Sequence, residues 1–149
     1  MSLDQLYQQI ILDHSKARHG SGLAGTDAPD GATTGQSHQL NPVCGDEVTL
    51  RLAVSDGKVA QVAWDGAGCS ISMASASVLT DLAEGRTVAE LHEVIDSFRE
   101  VLRSRGKIHA DPDLLGDAAA FEGVARYAAR VKCAMISWVA AEDALNQAA

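Results

Sequence analysis

Large apolar side chains near the amino terminus recur at helical intervals, with Leu3, Leu6, Tyr7, Ile10, Ile11 and then His14 on one face. Ser2 and Gln5 have the spacing of a capping box, so a first helix with one dry side is predicted. From Arg18 to Gln36 the pattern vanishes. That stretch holds five glycines, a proline and almost no large apolar group, which predicts a mobile loop unable to repay its ordering entropy. The period then drops to two: Val48, Leu50, Leu52 and Val54 alternate with Glu47, Thr49, Arg51 and Ala53. After Ser55-Asp56-Gly57-Lys58, a primed-turn sequence, the chain returns through Ala60, Val62 and Trp64 as the second arm of an antiparallel hairpin. Residues 37–40 are a candidate third strand.

Gly66-Ala67-Gly68-Cys69 breaks the strand pattern and leads into SISMASASVLTDLAEG, which reads as a buried helix stopped at Gly85. Thr87 and Glu90 form a second capping box ahead of Leu91, Val94, Ile95, Phe98 and Leu102 on one helical face. Residues 103–115 read as a linker, Asp117 as the cap of a helix through Phe121, Val124 and Ala125, and the last helix as running from about Cys133 to Leu145. One helix, a small sheet and then several helices define an α+β fold, with about three antiparallel strands packed against the helices.

Composition sets the class. With 149 residues, 46% apolar and 21% charged, the chain is expected to form one globular domain spanning 1–149. A net charge of −8 gives no electrostatic reason to expect nucleic acid as a partner. The start of the chain carries Asp4 and Asp13 and lacks the basic opening and unbroken apolar run of a secretory signal, so a cytoplasmic protein without a membrane span is expected. Three cysteines, an odd number, argue against a disulfide framework in such a compartment.

Candidate chemistry gathers around those cysteines. Cys44 and Asp46 are two residues apart in NPVCGDEV; if that stretch is extended, both side chains project to one side, with Gly45 as a hinge. Cys69 precedes a helix whose free N–H groups favour a thiolate, and Cys133 reads as placed just before the last helix, beside Arg130 and Lys132. Three thiols and a carboxylate match the number and donor types of tetrahedral Zn²⁺. Three thiolates and a carboxylate around that ion leave two net negative charges, which a guanidinium such as Arg130 would offset. The spacing itself, with 24 residues between the first two cysteines and 63 between the last two, leaves open whether they bind metal or fill the core. His14 reads as a packing residue, while His19 and His38 are assigned no role. Arg99, Arg103, Arg105 and Lys107 read as a solvated basic island, and Ser70, Ser72, Ser75 and Ser77 as small packing residues without a Ser-His-Asp arrangement.

NPVCGDEV, GAGCSISMASAS and ARVKCAMISW, in this order and each centred on a cysteine, resemble the zinc-bearing SufU branch of the U-type iron–sulfur assembly proteins, and the element order agrees over essentially the whole chain. The resemblance implies a SufE/IscU-like architecture, with Cys44, Asp46, Cys69 and Cys133 as ligands of Zn²⁺ and Cys44 also as the working thiol. It implies that the protein accepts sulfur from the persulfide of a SufS-type, pyridoxal-phosphate-dependent cysteine desulfurase and passes it to a downstream Suf cluster-assembly scaffold. A histidine of the desulfurase would take a place on the zinc and release Cys44. The related IscU scaffold branch, which builds a [2Fe–2S] cluster, resembles a pattern with histidine where this chain has Lys132, and residues 99–117 look like an insertion typical of SufU. Relatives often carry proline where this chain has Ala128. A closed, purely structural zinc domain is the third alternative.

Overall fold

A computed structural model of the chain describes residues 2–43 and 45–149. Helix α1 (Leu3–Ala17) precedes a sheet of β1 (Thr33–Asn41), β2 (Asp46–Ser55) and β3 (Lys58–Ala67), followed by α2 (Ser70–Ala83), α3 (Val88–Arg103), α4 (Pro112–Leu115), a 3₁₀ stretch Gly116–Arg126 and α5 (Ala128–Ala148). The sheet is antiparallel in the order β1-β2-β3, with Asn41 opposite Asp46 and Leu50 opposite Trp64. This is the expected α+β architecture. Both capping boxes form, Ser2 with Gln5 and Thr87 with Glu90. Asp56 and Gly57, with φ of 54° and 75°, make the primed turn between β2 and β3. None of the described helices is long and apolar enough to cross a membrane.

The alternation on β2 buries Val48, Leu50 and Leu52 completely, with α5 packed over β2 and α2 against β3. Helix α5 also lies along β1, presenting Ala140, Ala141 and Ala144, all fully buried. Small side chains let the backbones approach closely: a Cβ built on Gly35 of β1 would lie 1.9 Å from the Ala144 carbonyl oxygen. Phe98 of α3 stacks on Trp138 of α5 at 3.8 Å between ring centroids and meets Phe121 edge-on at 6.0 Å, joining the later helices into the same core.

Four expectations change. The loop expected to be mobile is pinned along the outer edge of β3. The Gly22 N–H donates to the Trp64 carbonyl, the Trp64 N–H donates to the Gly20 carbonyl, both at 2.9 Å, and Arg51 donates to the Thr26 carbonyl. Backbone hydrogen bonds of this kind need no apolar side chain, so composition did not announce them, and they cover an edge that would otherwise stay unpaired. The third strand extends over nine residues from Thr33 to Asn41. Asp117 does not cap its helix; it accepts a hydrogen bond from His14 at 2.9 Å. The last helix starts at Ala128, so Cys133 lies within α5 and not before it. Ala128 occupies the first helical position, where proline is tolerated and alanine is a good helix former.

Replacing Gly35 with Ala should therefore cost about 1–3 kcal/mol through overpacking against α5, seen as a lowered unfolding midpoint. An unchanged midpoint would mean that α5 does not lie this close to β1.

Candidate metal centre

Asp46 is the first residue of β2 and shares the inward face of Val48, Leu50 and Leu52, so strand periodicity drives a carboxylate under the helices to 3% exposure. A buried carboxylate needs donors, and the start of α2 provides them. Oδ1 accepts the Cys69 N–H at 3.2 Å, and Oδ2 accepts the Ser72 hydroxyl. Gly68 makes room: a Cβ there would stand 2.6 Å from Asp46 Oδ1.

Cys69 is the N-cap residue of α2, as its sequence setting predicted, and is an exposed residue at the helix end. Its Sγ lies 3.7 Å from Asp46 Oδ2 and 3.5 Å from Ser72 Oγ. Cys133 comes from the second turn of α5 and is buried, with Sγ 3.6 Å from the Ala129 carbonyl oxygen of the preceding turn. Ser75 holds the two helices in register by donating to the Ala134 carbonyl at 2.6 Å and accepting from Trp138 Nε1 at 2.8 Å. As a result, one oxygen of Asp46 and the sulfurs of Cys69 and Cys133 all lie within 4.8 Å of one another. Burial first, and then the hydrogen bonds and negative charge of Asp46 and Cys69, push the Cys133 thiol well above the ordinary thiol range.

Cys44 lies outside the described residues. Next to it, Gly45 has φ of +76° and donates its N–H to the Asn41 carbonyl at 2.7 Å, so it is in a turn and not in the extended conformation that would line up positions 44 and 46. Asp46 reaches the cluster through the face of β2. Arg130, the expected counter-charge, is exposed on the first turn of α5 with its guanidinium 5.7 Å from the centre of the Tyr127 ring; Lys132 is also exposed. Arg130 lines a groove of about 580 Å³ with Tyr7, Ile11, Leu12, Ile71 and Tyr127, and Ser70 of the α2 start opens onto the same groove.

The histidines read differently in three dimensions. His14 is buried as expected, and it sits between Ser77 Oγ at 2.8 Å and Asp117 Oδ2 at 2.9 Å. This is a Ser-His-Asp grouping that the sequence reading did not see, because Asp117 lies 103 residues from His14. Ser77 is fully buried, so the grouping joins α1, α2 and the 3₁₀ stretch without offering a nucleophile. Part of the basic island is engaged too: Arg99 pairs with Glu142 of α5 at 2.8 Å.

Removing the Ser75 hydroxyl leaves the buried Trp138 N–H without its acceptor. Ser75→Ala should lower stability by about 1–3 kcal/mol in denaturant unfolding, and a neutral result would show that the α2–α5 register does not depend on it.

A family model described as the NifU-like N terminal domain matches residues 6–134, a span that takes in β2, the start of α2 and Cys133. The zinc-dependent sulfurtransferase SufU of Bacillus subtilis is 36% identical over 141 residues, covering 95% of this chain and 90% of its own. The iron–sulfur cluster assembly scaffold protein IscU of Streptococcus pyogenes is 33% identical over 147 residues, covering 99% of this chain and 87% of its own. A crystal structure described as an iron–sulfur cluster assembly scaffold protein for the SUF system, from Fervidobacterium islandicum, superposes with a TM-score of 0.74 at 32% identity, covering 97% of this chain and 99% of that one. The cysteine-centred motifs, the element order and these matches agree, and the chain belongs to the NifU-like N-terminal domain family, in the superfamily of SufU and IscU.

Proposed function

We propose that the chain is a zinc-dependent sulfur carrier acting as a single domain in the cytoplasm, with Cys44, Asp46, Cys69 and Cys133 as the zinc ligands and Cys44 as the sulfur acceptor. The observation that carries the reading is the meeting of Asp46, Cys69 and Cys133, from β2, α2 and α5, within 4.8 Å. The donor set fits the metal: two thiols and a carboxylate crowd together, burial and then Asp46 and Cys69 disfavour the Cys133 thiolate, and a divalent cation would remove that conflict. When bound, Zn²⁺ supplies the positive charge that keeps such thiols deprotonated.

The residues of the chain divide the remaining work. Ser72 and the Cys69 N–H aim the Asp46 carboxylate, and Ser75 holds Cys133 against it from the α5 side. Cys69 faces solvent while Cys133 is closed in, so an incoming group approaches from the α2 end. Beside that approach, Tyr127 is 58% exposed and lines the groove onto which Ser70 opens, a surface suited to a protein partner. In the transfer itself, the Cys44 thiolate attacks the outer sulfur of a donor persulfide, the S–S bond breaks, and the donor cysteine leaves as thiolate while Cys44 becomes the persulfide. No external oxidant or reductant is consumed. The donor is proposed to be a SufS-type cysteine desulfurase and the recipient a Suf cluster-assembly scaffold, in keeping with the sulfurtransferase name of the Bacillus relative. Arg130, at the groove, is proposed to offset the negative charge as the sulfur arrives.

The identity with Streptococcus IscU favours one second reading, a scaffold holding a cluster on the same thiols. The two separate by metal content and by anaerobic reconstitution: the carrier retains thiolate-bound zinc, whereas the scaffold exchanges it for a stable cluster.

Cys44→Ala should leave a folded protein that takes up no sulfur from the desulfurase, measured by labelled persulfide transfer. Uptake at the normal level would move the acceptor to another cysteine, and loss of fold would favour the structural-zinc alternative. Ser72→Ala should weaken zinc affinity about tenfold or more in chelator competition, because the carboxylate loses the donor that aims it; unchanged affinity would remove Asp46 from the ligand set.

A further inference from the structure

We propose that His14, His19 and Asp81 form a second divalent-cation site, separate from the cysteine cluster and independent of the sulfur-carrier reading. One nitrogen from each imidazole and one Asp81 oxygen lie within 4.8 Å of one another. His19 Nδ1 is 2.8 Å from Asp81 Oδ2, and the two imidazole rings stand 5.4 Å apart, nearly perpendicular. Asp81 is twelve residues beyond Cys69 on α2, which places the two clusters about 18 Å apart along that helix.

The grouping is built and not merely adjacent. His14 is buried, and Asp117 Oδ2 sits 2.9 Å from its Nε2, the arrangement in which a carboxylate fixes the tautomer of a metal-binding imidazole. With Nε2–H directed at Asp117, Nδ1 carries the lone pair. That nitrogen accepts the Ser77 hydroxyl at 2.8 Å, and Ser77 Oγ also receives the His19 backbone N–H at 3.0 Å, so an ion bound here would replace the Ser77 hydroxyl at Nδ1. His19 is clamped at both backbone groups, since its carbonyl also accepts from Trp64 Nε1 at 2.7 Å. The side chains of His19 and Asp81 are 48% and 49% exposed, leaving one flank open for water ligands and for entry of the ion.

Two imidazole nitrogens and one carboxylate oxygen suit a borderline cation of the Zn²⁺, Co²⁺ or Ni²⁺ kind, not Mg²⁺ or Ca²⁺, which take oxygen ligands. Bound there, the ion would clip the end of α1 and the segment after it to α2. Without sulfur, Co²⁺ at this site gives no thiolate charge-transfer absorption, which distinguishes it from Co²⁺ at the cysteines.

The test is calorimetric titration of the full chain with Zn²⁺, after one equivalent has been supplied and buffer-bound metal removed, together with optical titration by Co²⁺. The wild type should take up a second equivalent that raises the unfolding midpoint. His19→Ala and Asp81→Asn should each weaken that equivalent at least tenfold while the cobalt–thiolate absorption stays at its wild-type intensity. Both changed side chains are half exposed, and circular dichroism confirms the fold. Loss of the thiolate absorption alone would count against the cysteine reading and leave this site standing. A wild type that takes no histidine-dependent equivalent, or one that both variants retain at full affinity, would show that His19 and Asp81 form only an ion pair.

Discussion

A carboxylate buried to 3% exposure has to find donors, and those of Asp46 fix where the sheet meets the helices. Its two oxygens take the Cys69 N–H and the Ser72 hydroxyl, so the end of β2 is bonded to the first turn of α2. Once α2 is placed, Ser75 places α5 through the Ala134 carbonyl and Trp138, and Cys133 arrives opposite Cys69 as a result. The candidate metal centre is thus set by ordinary folding contacts, each between elements distant in sequence. A metal would add its own constraint to an arrangement that the backbone and three hydroxyl or amide donors already favour.

Most of the fold could be read from periodicity. The hairpin of β2 and β3, both capping boxes and the stop near Gly85 follow local rules, and the structure contains them where those rules place them. Asp46 was legible for a better reason than the one first used: it continues the inward row of Val48, Leu50 and Leu52, whereas the extended 44–46 stretch assumed in sequence is broken by the left-handed Gly45. Two of the misses share a physical cause: pinning of the 20–26 segment and the His14–Asp117 bond depend on partners far along the chain, which no window of neighbouring residues contains, whereas the turn of α5 ahead of Cys133 closes locally on the Tyr127 carbonyl.

The asymmetry between the two described cysteines bears on what the centre does. A closed structural site would gain nothing from exposing a ligand. Here Cys69 stands at the surface, while Cys133 and Asp46 form the buried wall. That division, a fixed interior half and an approachable outer half, supports the proposed sulfur carrier over a closed structural site. Burial, and then the neighbouring Asp46 and Cys69, raise the Cys133 thiol, a cost that a bound cation would offset.

Helix α2 links the two clusters, and its serines show how. Small residues allow the helix to be enclosed on several sides, which explains Ala74 and Ala76 but not the hydroxyls between them. Each buried serine bonds a different element: Ser72 the strand carboxylate, Ser75 the α5 carbonyl, Ser77 the α1 histidine. An alanine at any of these positions would fill nearly the same volume and leave a buried polar group on the neighbour unmatched, which costs more than the hydroxyl contributes. Close packing alone therefore does not account for this serine pattern. The sequence SISMASAS is better understood as the axis on which β2, α5 and α1 are oriented, with a thiol–carboxylate cluster at its first turn and an imidazole–carboxylate cluster toward its last.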